Sequence, residues 1–275
     1  MSERSKARNE LVISYLLLRK TVGWIGTLLP VVLIAGNVIF YSTDLPDSMS
    51  SYYYTHMRNV FVGALCALGV FLLAYAGYDE WDRWITNIAG IGAIGVAMFA
   101  TKPTVCPVRA NSCASPAVRA MTTGQSVIGT IHLGFAMIAF LALGVMALRF
   151  AKLPPTAVPR PPGIPAWLRS ALGMPQRGQA DPRTAADKRS SAIFRCCGIG
   201  ILLCVVLAVA SNFLPTSVKN AAPVLFIFEA LAVFAFGVSW FVKGQTLKPT
   251  VRRIAAQVRM SRAPTPVPVE AGPVS

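Results

Sequence analysis

The chain has 275 residues, 54% of them apolar and 13% charged, with a mean hydropathy of +0.55. A soluble domain of this length carries about a quarter charged residues, so the composition excludes an ordinary soluble protein. A net charge of +15 would favour a nucleic-acid partner in a soluble chain, but here the charges lie between long apolar segments. We therefore attribute the basic residues to membrane orientation and predict no nucleic-acid partner.

Six apolar segments follow a basic N-terminal segment, residues 1–21, that we expect to be cytoplasmic. Within it, residues 11–18 predict a short interfacial helix rather than a cleaved signal peptide, because Arg19 and Lys20 follow without a small-residue cleavage pattern. Each apolar segment approaches the roughly 20 residues that a helix needs to cross a bilayer. The predicted fold is all-α, a polytopic transmembrane helix bundle of six spans at residues 22–41, 60–78, 85–100, 126–148, 192–213 and 224–242.

The connections between spans predict two membrane halves. Four spans make the first half, residues 22–148, in which only residues 79–84 join spans two and three into a tight hairpin. A cytoplasmic linker rich in proline and arginine follows at 149–191, and the last two spans make the second half at 192–242. The tail, residues 243–275, is basic with helical periodicity, which predicts contact with anionic lipids of the cytoplasmic leaflet.

Lysine and arginine determine the predicted orientation, because they collect on cytoplasmic segments. With both termini in the cytoplasm and Arg195 assigned to the inner end of span five, 21 of the 26 lysines and arginines lie on the inner side. The five outer ones are Arg58, Lys102, Arg109, Arg119 and Lys219. The sequence therefore predicts a multi-pass protein of the cell (inner) membrane with both termini cytoplasmic.

Two ionisable residues, His132 and Glu229, lie roughly 10 Å inside the outer ends of their predicted spans. An ionised carboxylate at that depth is costly unless it is paired or hydrated. One interpretation is a polar cavity, open to the outer side, in which the two residues face each other. The alternative is a structural hydrogen bond between two helices. The predicted ligand-binding set is completed by residues at the rim of this cavity: Asn37, His56, Arg58 and Asn212.

The outer segment before span two combines tyrosines 52–54 with His56 and Arg58. Tyrosine anchors a helix at headgroup depth and arginine pairs with phosphate, so a lipid-headgroup contact at Arg58 is one hypothesis. Plain interfacial anchoring of span two is the alternative. Serines and aspartates in the same loop also permit a lipid-modifying hydrolase based on His56. However, the strand-turn-helix context of a hydrolase nucleophile is missing from the sequence.

Cysteine and glycine patterns have simple interpretations. Cys106 and Cys113 both fall in the predicted outer loop 101–125, where an oxidising compartment would allow a disulfide, and free thiols are the alternative. Residues 90–95 spell Gly-x-Gly-x-x-Gly, but inside a span this pattern indicates close helix packing rather than dinucleotide binding. With two histidines and no paired Cys-x-x-Cys, the sequence predicts no metal site and no cofactor.

Four stretches resemble a family of uncharacterised bacterial multi-pass membrane proteins of unknown function. They are residues 48–63 (SMSSYYYTHMRNVFVG), 76–79 (AGYD), 87–91 (NIAGI) and 238–244 (VSWFVKG), and the resemblance covers roughly residues 20–245. It implies a six-helix fold in the cell membrane and assigns no functional residue. The family pattern has Phe-Pro-Thr at the end of helix three, whereas this chain has Phe-Ala-Thr at 99–101.

Three classes of function remain open from the sequence. The favoured one is a membrane binding or scaffold protein with an outward-facing pocket for a lipid headgroup or small solute, because the spans are almost wholly apolar. The second is a small-solute or proton transporter that uses Glu229 and His132, and the third is the outer-face hydrolase. The predicted partner is the lipid bilayer, the sequence identifies no protein partner, and no catalytic residue is predicted.

Overall fold

Six long α-helices make up most of the chain that the computed structural model describes, which is residues 3–41, 45–75, 77, 79–103, 123–152, 185–215, 217–218 and 223–246. Short 3-10 helices at Met49–Tyr54 and Ser211–Phe213 lie between them, and no strand occurs in these ranges. The α-helices are α1 (Glu3–Tyr41), α2 (Arg58–Leu73), α3 (Glu80–Met98), α4 (Thr123–Lys152), α5 (Ala185–Ala210) and α6 (Val224–Thr246).

The helices form a ring, in which each helix packs against its neighbours in the chain and α1 packs against α6. Successive helices run in opposite directions. Tyr75, just after α2, contacts Arg19 in the first half of α1 and Trp240 near the end of α6. At the other end of the ring, Met57 precedes α2 and lies against Gly36 near the end of α1. The two predicted membrane halves therefore belong to one bundle.

Four described helices are long and apolar enough to cross a membrane: Arg19–Phe40, Thr123–Lys152, Lys188–Phe213 and Val224–Gln245. Large apolar side chains are exposed on the bundle, with Phe40 76% and Phe213 86% accessible. In water such a surface would favour aggregation, whereas in a bilayer it contacts lipid. Length, composition and surface together indicate a membrane protein.

Small residues in α3 bring it close to both of its neighbours. A Cβ built on Gly90 would lie 2.8 Å from the carbonyl oxygen of Gly69 in α2, and one on Gly92 would lie 2.9 Å from Cβ of Ala139 in α4. Small residues at helix contacts let backbones approach closely in lipid. The prediction that the glycines of residues 90–95 serve helix packing is therefore confirmed.

The second helix is shorter than its predicted span at 60–78. It has 16 residues and ends at Leu73, where the chain begins to turn. Gly77 has φ +63, in the left-handed region that glycine adopts without steric cost, so the helix cannot continue through it. The hairpin is therefore connected by a turn that precedes residue 79, not by residues 79–84.

The third helix begins with acidic residues that belong to the predicted connection at residues 79–84. Asp79 is its N-cap, and its carboxylate accepts a hydrogen bond of 2.9 Å from the backbone N–H of Asp82. Carboxylates at this position satisfy a free N–H and interact favourably with the helix dipole. Glu80, Asp82 and Arg83 thus belong to the first turn of α3, which is not among the four membrane-length helices named above.

The first helix is continuous, so the short separate helix predicted at residues 11–18 is part of α1. At the predicted linker, α4 extends to Lys152 and α5 begins at Ala185. The linker between these helices lies outside the described residues, as does the basic tail after residue 246. Its contact with anionic lipids stays a prediction.

Candidate functional site

An apolar cavity lies inside the ring. Its volume is about 60 Å³, counted as the space open to the centre of a water molecule. One water needs about 10–15 Å³ on that measure, so the cavity has room for roughly four to six groups of the size of water or a methylene. The lining residues come from the first 3-10 helix, α2, α3, α4 and α6: Met49, Ser50, Phe61, Leu65, Leu68, Leu72, Ala93, Val96, Ala136, Ala139, Phe140, Leu143, Glu229, Val233 and Phe236.

One face of α2 forms a long side of this cavity, from Phe61 to Leu72. At 1.5 Å per residue this face extends about 16 Å, roughly half the thickness of a bilayer core. Leu65 and Leu68 lie between Phe61 and Leu72 with heptad spacing, so the four side chains share one side of the helix. Glu229 is the single ionisable residue among those that line the cavity.

The Glu229 carboxylate borders the cavity and also binds the backbone of the first 3-10 helix. Its Oε2 accepts a hydrogen bond of 2.5 Å from the N–H of Met49, and the N–H of Ser50 faces it as well. Both amides belong to the beginning of that helix, where N–H groups have no partner within the helix. The carboxylate thus fastens the segment before α2 to α6.

A second backbone contact holds the same segment on α6. The N–H of Phe226 donates to the carbonyl oxygen of Asp47, at 3.0 Å. Ser48 is the N-cap of the 3-10 helix and accepts a hydrogen bond of 3.1 Å from the N–H of Ser51. This segment therefore covers one end of the cavity, which we call the Glu229 end.

The six residues predicted to bind a ligand are Asn37, His56, Arg58, His132, Asn212 and Glu229, and their described surroundings differ. Glu229 is the one that lines the cavity. Asn37 is buried in α1. Asn212 is exposed beyond the end of α5 and donates to the carbonyl oxygens of Ala208 and Val209.

His132 is 3% exposed in α4 and binds the end of α3. Its Nδ1 lies 2.7 Å from the carbonyl oxygen of Phe99. Because a carbonyl only accepts, this nitrogen is assigned the proton. No described residue hydrogen-bonds the buried Nε2. The described hydrogen bonds of His132 and Glu229 go to different elements and do not join the two side chains.

The outer-loop residues predicted to contact lipid headgroups lie at the surface. Arg58 is exposed, donates a hydrogen bond of 2.8 Å to the Tyr53 hydroxyl, and stacks with its Cζ 4.3 Å from the centroid of the Tyr53 ring. His56 is exposed in the turn before α2. Tyr54 donates to the carbonyl oxygen of Thr101, at 2.6 Å.

Two serines of this loop, Ser48 and Ser51, make local hydrogen bonds. Ser48 and Ser51 are 6% and 5% exposed, and their hydroxyl oxygens are 2.8 Å apart. Ser48 caps the 3-10 helix and Ser51 lies within its first turn, so neither hydroxyl lies open to a substrate. This arrangement favours a structural role for them over the nucleophile of a hydrolase.

Tyr52 is fully buried, although the sequence predicted an interfacial anchor. Its ring packs against Phe226 of α6, with ring centroids 6.1 Å apart. Burial raises the pKa of the Tyr52 phenol to about 12. The side chain therefore contributes to fastening the 3-10 helix on α6.

We expect the stability of the protein to fall with rising pH above about 10, the pKa of a tyrosine in an unfolded chain. Between that pH and about 12 the unfolded state releases the Tyr52 proton and the folded state retains it, so unfolding becomes easier. Ultraviolet absorbance titration should show a late tyrosine transition that Tyr52→Phe removes. An identical titration curve in the variant would contradict the assignment.

The opposite end of the ring holds charged residues that the sequence analysis did not connect. The Nε of Arg149, in α4, donates to the Asp82 carboxylate, which is fully buried. A terminal nitrogen of Arg149 lies 3.0 Å and 2.8 Å from the two oxygens of Asp79. These bonds tie the beginning of α3 to the end of α4.

Two further buried cations lie at this end of the ring, among aromatic rings. Arg19 donates a hydrogen bond of 2.7 Å to the Tyr75 hydroxyl, and the Lys243 ammonium is 5.0 Å from the Phe150 ring centroid. Trp240 packs edge-on against both Tyr75 and Phe150. We call this group of charged residues the charged end. It consists of Arg19, Asp79, Asp82, Arg149 and Lys243.

Part of the charged end could have been predicted from the sequence, because two aspartates and an arginine lie at the ends of apolar spans that pack together.

The cysteine and metal predictions are only partly covered by the structure. Cys106 and Cys113 lie outside the described residues, so their disulfide stays a prediction. Four described cysteines are free: Cys66, Cys196, Cys197 and Cys204. Among the described residues, no three His, Cys, Asp or Glu side chains are grouped so that they could hold a metal ion.

Comparison with known proteins identifies no relative of this chain. No family model, no curated protein sequence and no solved structure matches the chain. Function is therefore argued from the cavity and its residues alone.

Proposed function

We propose that the chain is a multi-pass membrane protein that binds a small apolar or amphiphilic molecule in the cavity inside its helix ring. The cavity is the observation that carries this proposal, because its walls are apolar and a single carboxylate borders it. Small-molecule sites are typically concave and apolar, with a few polar groups that orient the ligand. Close-packed protein interiors contain few voids larger than one water molecule, so a cavity of this size favours binding over a scaffold without a ligand.

The proposal includes six spans, with both termini and the charged end in the cytoplasm of the cell. The alternating helix directions support it, because six antiparallel crossings bring both ends of the chain to the same side. The excess of lysine and arginine on those segments also supports it. Fluorescent-protein and periplasmic-enzyme fusions to the C-terminus test the orientation. The fluorescent fusion should be active, and activity of the enzyme fusion alone would overturn it.

Filling the cavity is expected to abolish ligand binding. Ala93 lines the cavity from α3 and is 7% exposed. Ala93→Leu adds about three carbon atoms to a space for roughly four to six such groups, so we expect hexanol binding to fall about tenfold or more. Equilibrium dialysis of radiolabelled hexanol against the protein in nanodiscs, with empty nanodiscs subtracted, measures this effect.

Gly134→Leu is the matched control for that experiment. A Cβ at Gly134 meets no atom within 4 Å, so the same side chain enters open space on α4. We expect this variant to bind hexanol like the wild type. Thermal unfolding of each variant checks that the fold is kept. Equal hexanol binding by Ala93→Leu and the wild type, or no binding of either hexanol or its amine analogue hexylamine above empty nanodiscs, would refute the proposed function.

A transporter of protons or a small solute is the second candidate. Ionisable groups lie at both ends of the ring, with Glu229 at one end and the charged end at the other. Carboxylates inside membrane bundles often mark proton or ion pathways. Proteoliposomes with an imposed pH gradient would test this function. Flux no faster than through empty liposomes, or unchanged flux in Glu229→Gln, would eliminate it.

A further inference from the structure

We infer that the cavity ligand carries a cationic amine, which pairs with Glu229 while an apolar chain of about four to six carbons occupies the cavity. This inference rests on the proposed function and adds the chemical class of the ligand. It follows from the position of the carboxylate, from its unused hydrogen-bonding capacity and from the absence of a described counter-ion.

The carboxylate lies at one end of an apolar space. Glu229 precedes Val233 and Phe236, the other cavity-lining residues of α6, by one and two helical turns. Residues seven apart on a helix are about 10 Å apart along its axis. A ligand with a polar head at Glu229 would therefore place its chain beside Val233 and Phe236, toward the charged end of the ring.

The carboxylate also retains capacity to accept hydrogen bonds. An ionised carboxylate has about four acceptor positions on two oxygens. The amides of Met49 and Ser50 use some of these positions, and both come from one side, the 3-10 helix. Glu229 lines the cavity, so a ligand in the cavity can reach its side chain.

No salt bridge among the described residues involves Glu229. The nearest described outer arginine in sequence to the 3-10 helix is Arg58, and its guanidinium contacts Tyr53. An ionised carboxylate without a counter-ion in apolar surroundings is unfavourable, and a ligand ammonium would remove that penalty. A ligand with an anionic head would instead be repelled.

Hexylamine and hexanol make a matched pair of probes, because they share one chain and hexylamine is protonated at pH 7. We expect the protein in nanodiscs to bind hexylamine about tenfold more tightly than hexanol, as charge-assisted hydrogen bonds are worth at least that factor. Binding should rise about fourfold per methylene from propylamine to hexylamine, and should stop rising once the cavity is full.

Glu229→Gln tests the role of the carboxylate, since glutamine is isosteric and can still accept from the Met49 N–H. We expect it to reduce hexylamine binding about tenfold and to leave hexanol binding unchanged. Glu80→Gln is the control, because it removes the same charge from the exposed first turn of α3. This variant should bind both probes like the wild type.

The outcomes separate this inference from the proposed function. If hexanol and hexylamine bind equally and Glu229→Gln changes neither, the amine inference is wrong while cavity binding stands. If neither probe binds above empty nanodiscs, and Ala93→Leu has no effect, both are wrong. Equal loss of hexylamine binding in Glu80→Gln and Glu229→Gln would show a surface-charge effect and overturn the inference as well.

Discussion

Replacement of Arg149 by methionine is expected to lower the free energy of unfolding by about 3 kcal/mol. Methionine keeps much of the length and apolar stem of arginine but removes the cation that contacts Asp82, whose side chain is fully buried. Removal of one partner of a buried ion pair leaves an uncompensated charge, which typically costs about 3–5 kcal/mol. We expect the lower end of this range because the Arg149 side chain is 29% exposed and the Asp79 side chain is 36% exposed. Reversible denaturation in mixed micelles measures the change.

Arg83→Met is the matched control, because it removes the same type of charge from the first turns of α3. Arg83 is 3.8 Å from Glu80, and these side chains are 39% and 76% exposed. Exposed pairs of this kind contribute between about 0 and 1 kcal/mol, so the control should stay within that range. If Arg83→Met and Arg149→Met destabilise the protein equally, the interaction with Asp82 is not a buried pair.

A double variant sharpens this prediction. Combining Arg149→Met with Asp82→Asn removes the buried negative charge together with its cation. The double variant should recover part of the stability lost in Arg149→Met, because the penalty arises chiefly from the buried Asp82 charge that has lost its contact with Arg149. Strict additivity of the two single effects would contradict a direct interaction.

The helices could be predicted from the sequence because each depends on local composition. Apolar segments long enough to cross a bilayer are uncommon in soluble chains, and four of the six predicted segments coincide with described helices that can span a membrane. The packing role of the glycines in α3 could also be predicted. A dinucleotide-binding Gly-x-Gly-x-x-Gly motif follows a strand, whereas here the motif lies inside an apolar segment. Helix ends were harder, because the end of α2 depends on Gly77 and the beginning of α3 depends on the Asp79 cap.

The partners of the ionisable residues could not be predicted in the same way. Glu229 was identified as unusual because of its depth in a span, but its hydrogen-bond donor, Met49, is 180 residues away in the chain. A pairing over that distance depends on how the helices pack, which the sequence alone does not specify. The prediction joined Glu229 to His132 because both are polar and equally deep. The structure gives each of them a backbone partner instead.

The charged end illustrates a second limit of sequence analysis. Lysine and arginine near the ends of apolar segments are equally consistent with solvated orientation signals and with buried contacts. The sequence identifies Arg19 and Lys243 only as cytoplasmic charges, yet both are fully buried in the structure, beside Tyr75 and Phe150 respectively. Burial of a cation depends on aromatic and acidic residues that other helices supply. Those residues come together only when the ring closes.

The ring closes through the contact between α1 and α6, and Gly237→Ala is expected to disrupt it. A Cβ on Gly237 would lie 2.2 Å from the backbone nitrogen of Thr27 and 2.6 Å from the carbonyl carbon of Gly26. Backbone atoms cannot yield as a flexible side chain can, so the two helices must move apart. Overpacking of this kind costs about 1–3 kcal/mol, occasionally more, and we expect about 3 kcal/mol because the clash is between backbones.

Movement of α6 away from α1 should also change the cavity, since Phe236, the neighbour of Gly237 in the chain, lines it. Hexanol binding in nanodiscs is therefore expected to fall in Gly237→Ala together with stability, measured by denaturation in mixed micelles. Gly134→Ala and Gly200→Ala are the controls, because a Cβ at either position meets nothing within 4 Å. Each should change stability by less than about 1 kcal/mol, the intrinsic difference between glycine and alanine in a helix. If Gly237→Ala behaves like these two, α1 and α6 are not in backbone contact and the closed ring that encloses the cavity does not exist.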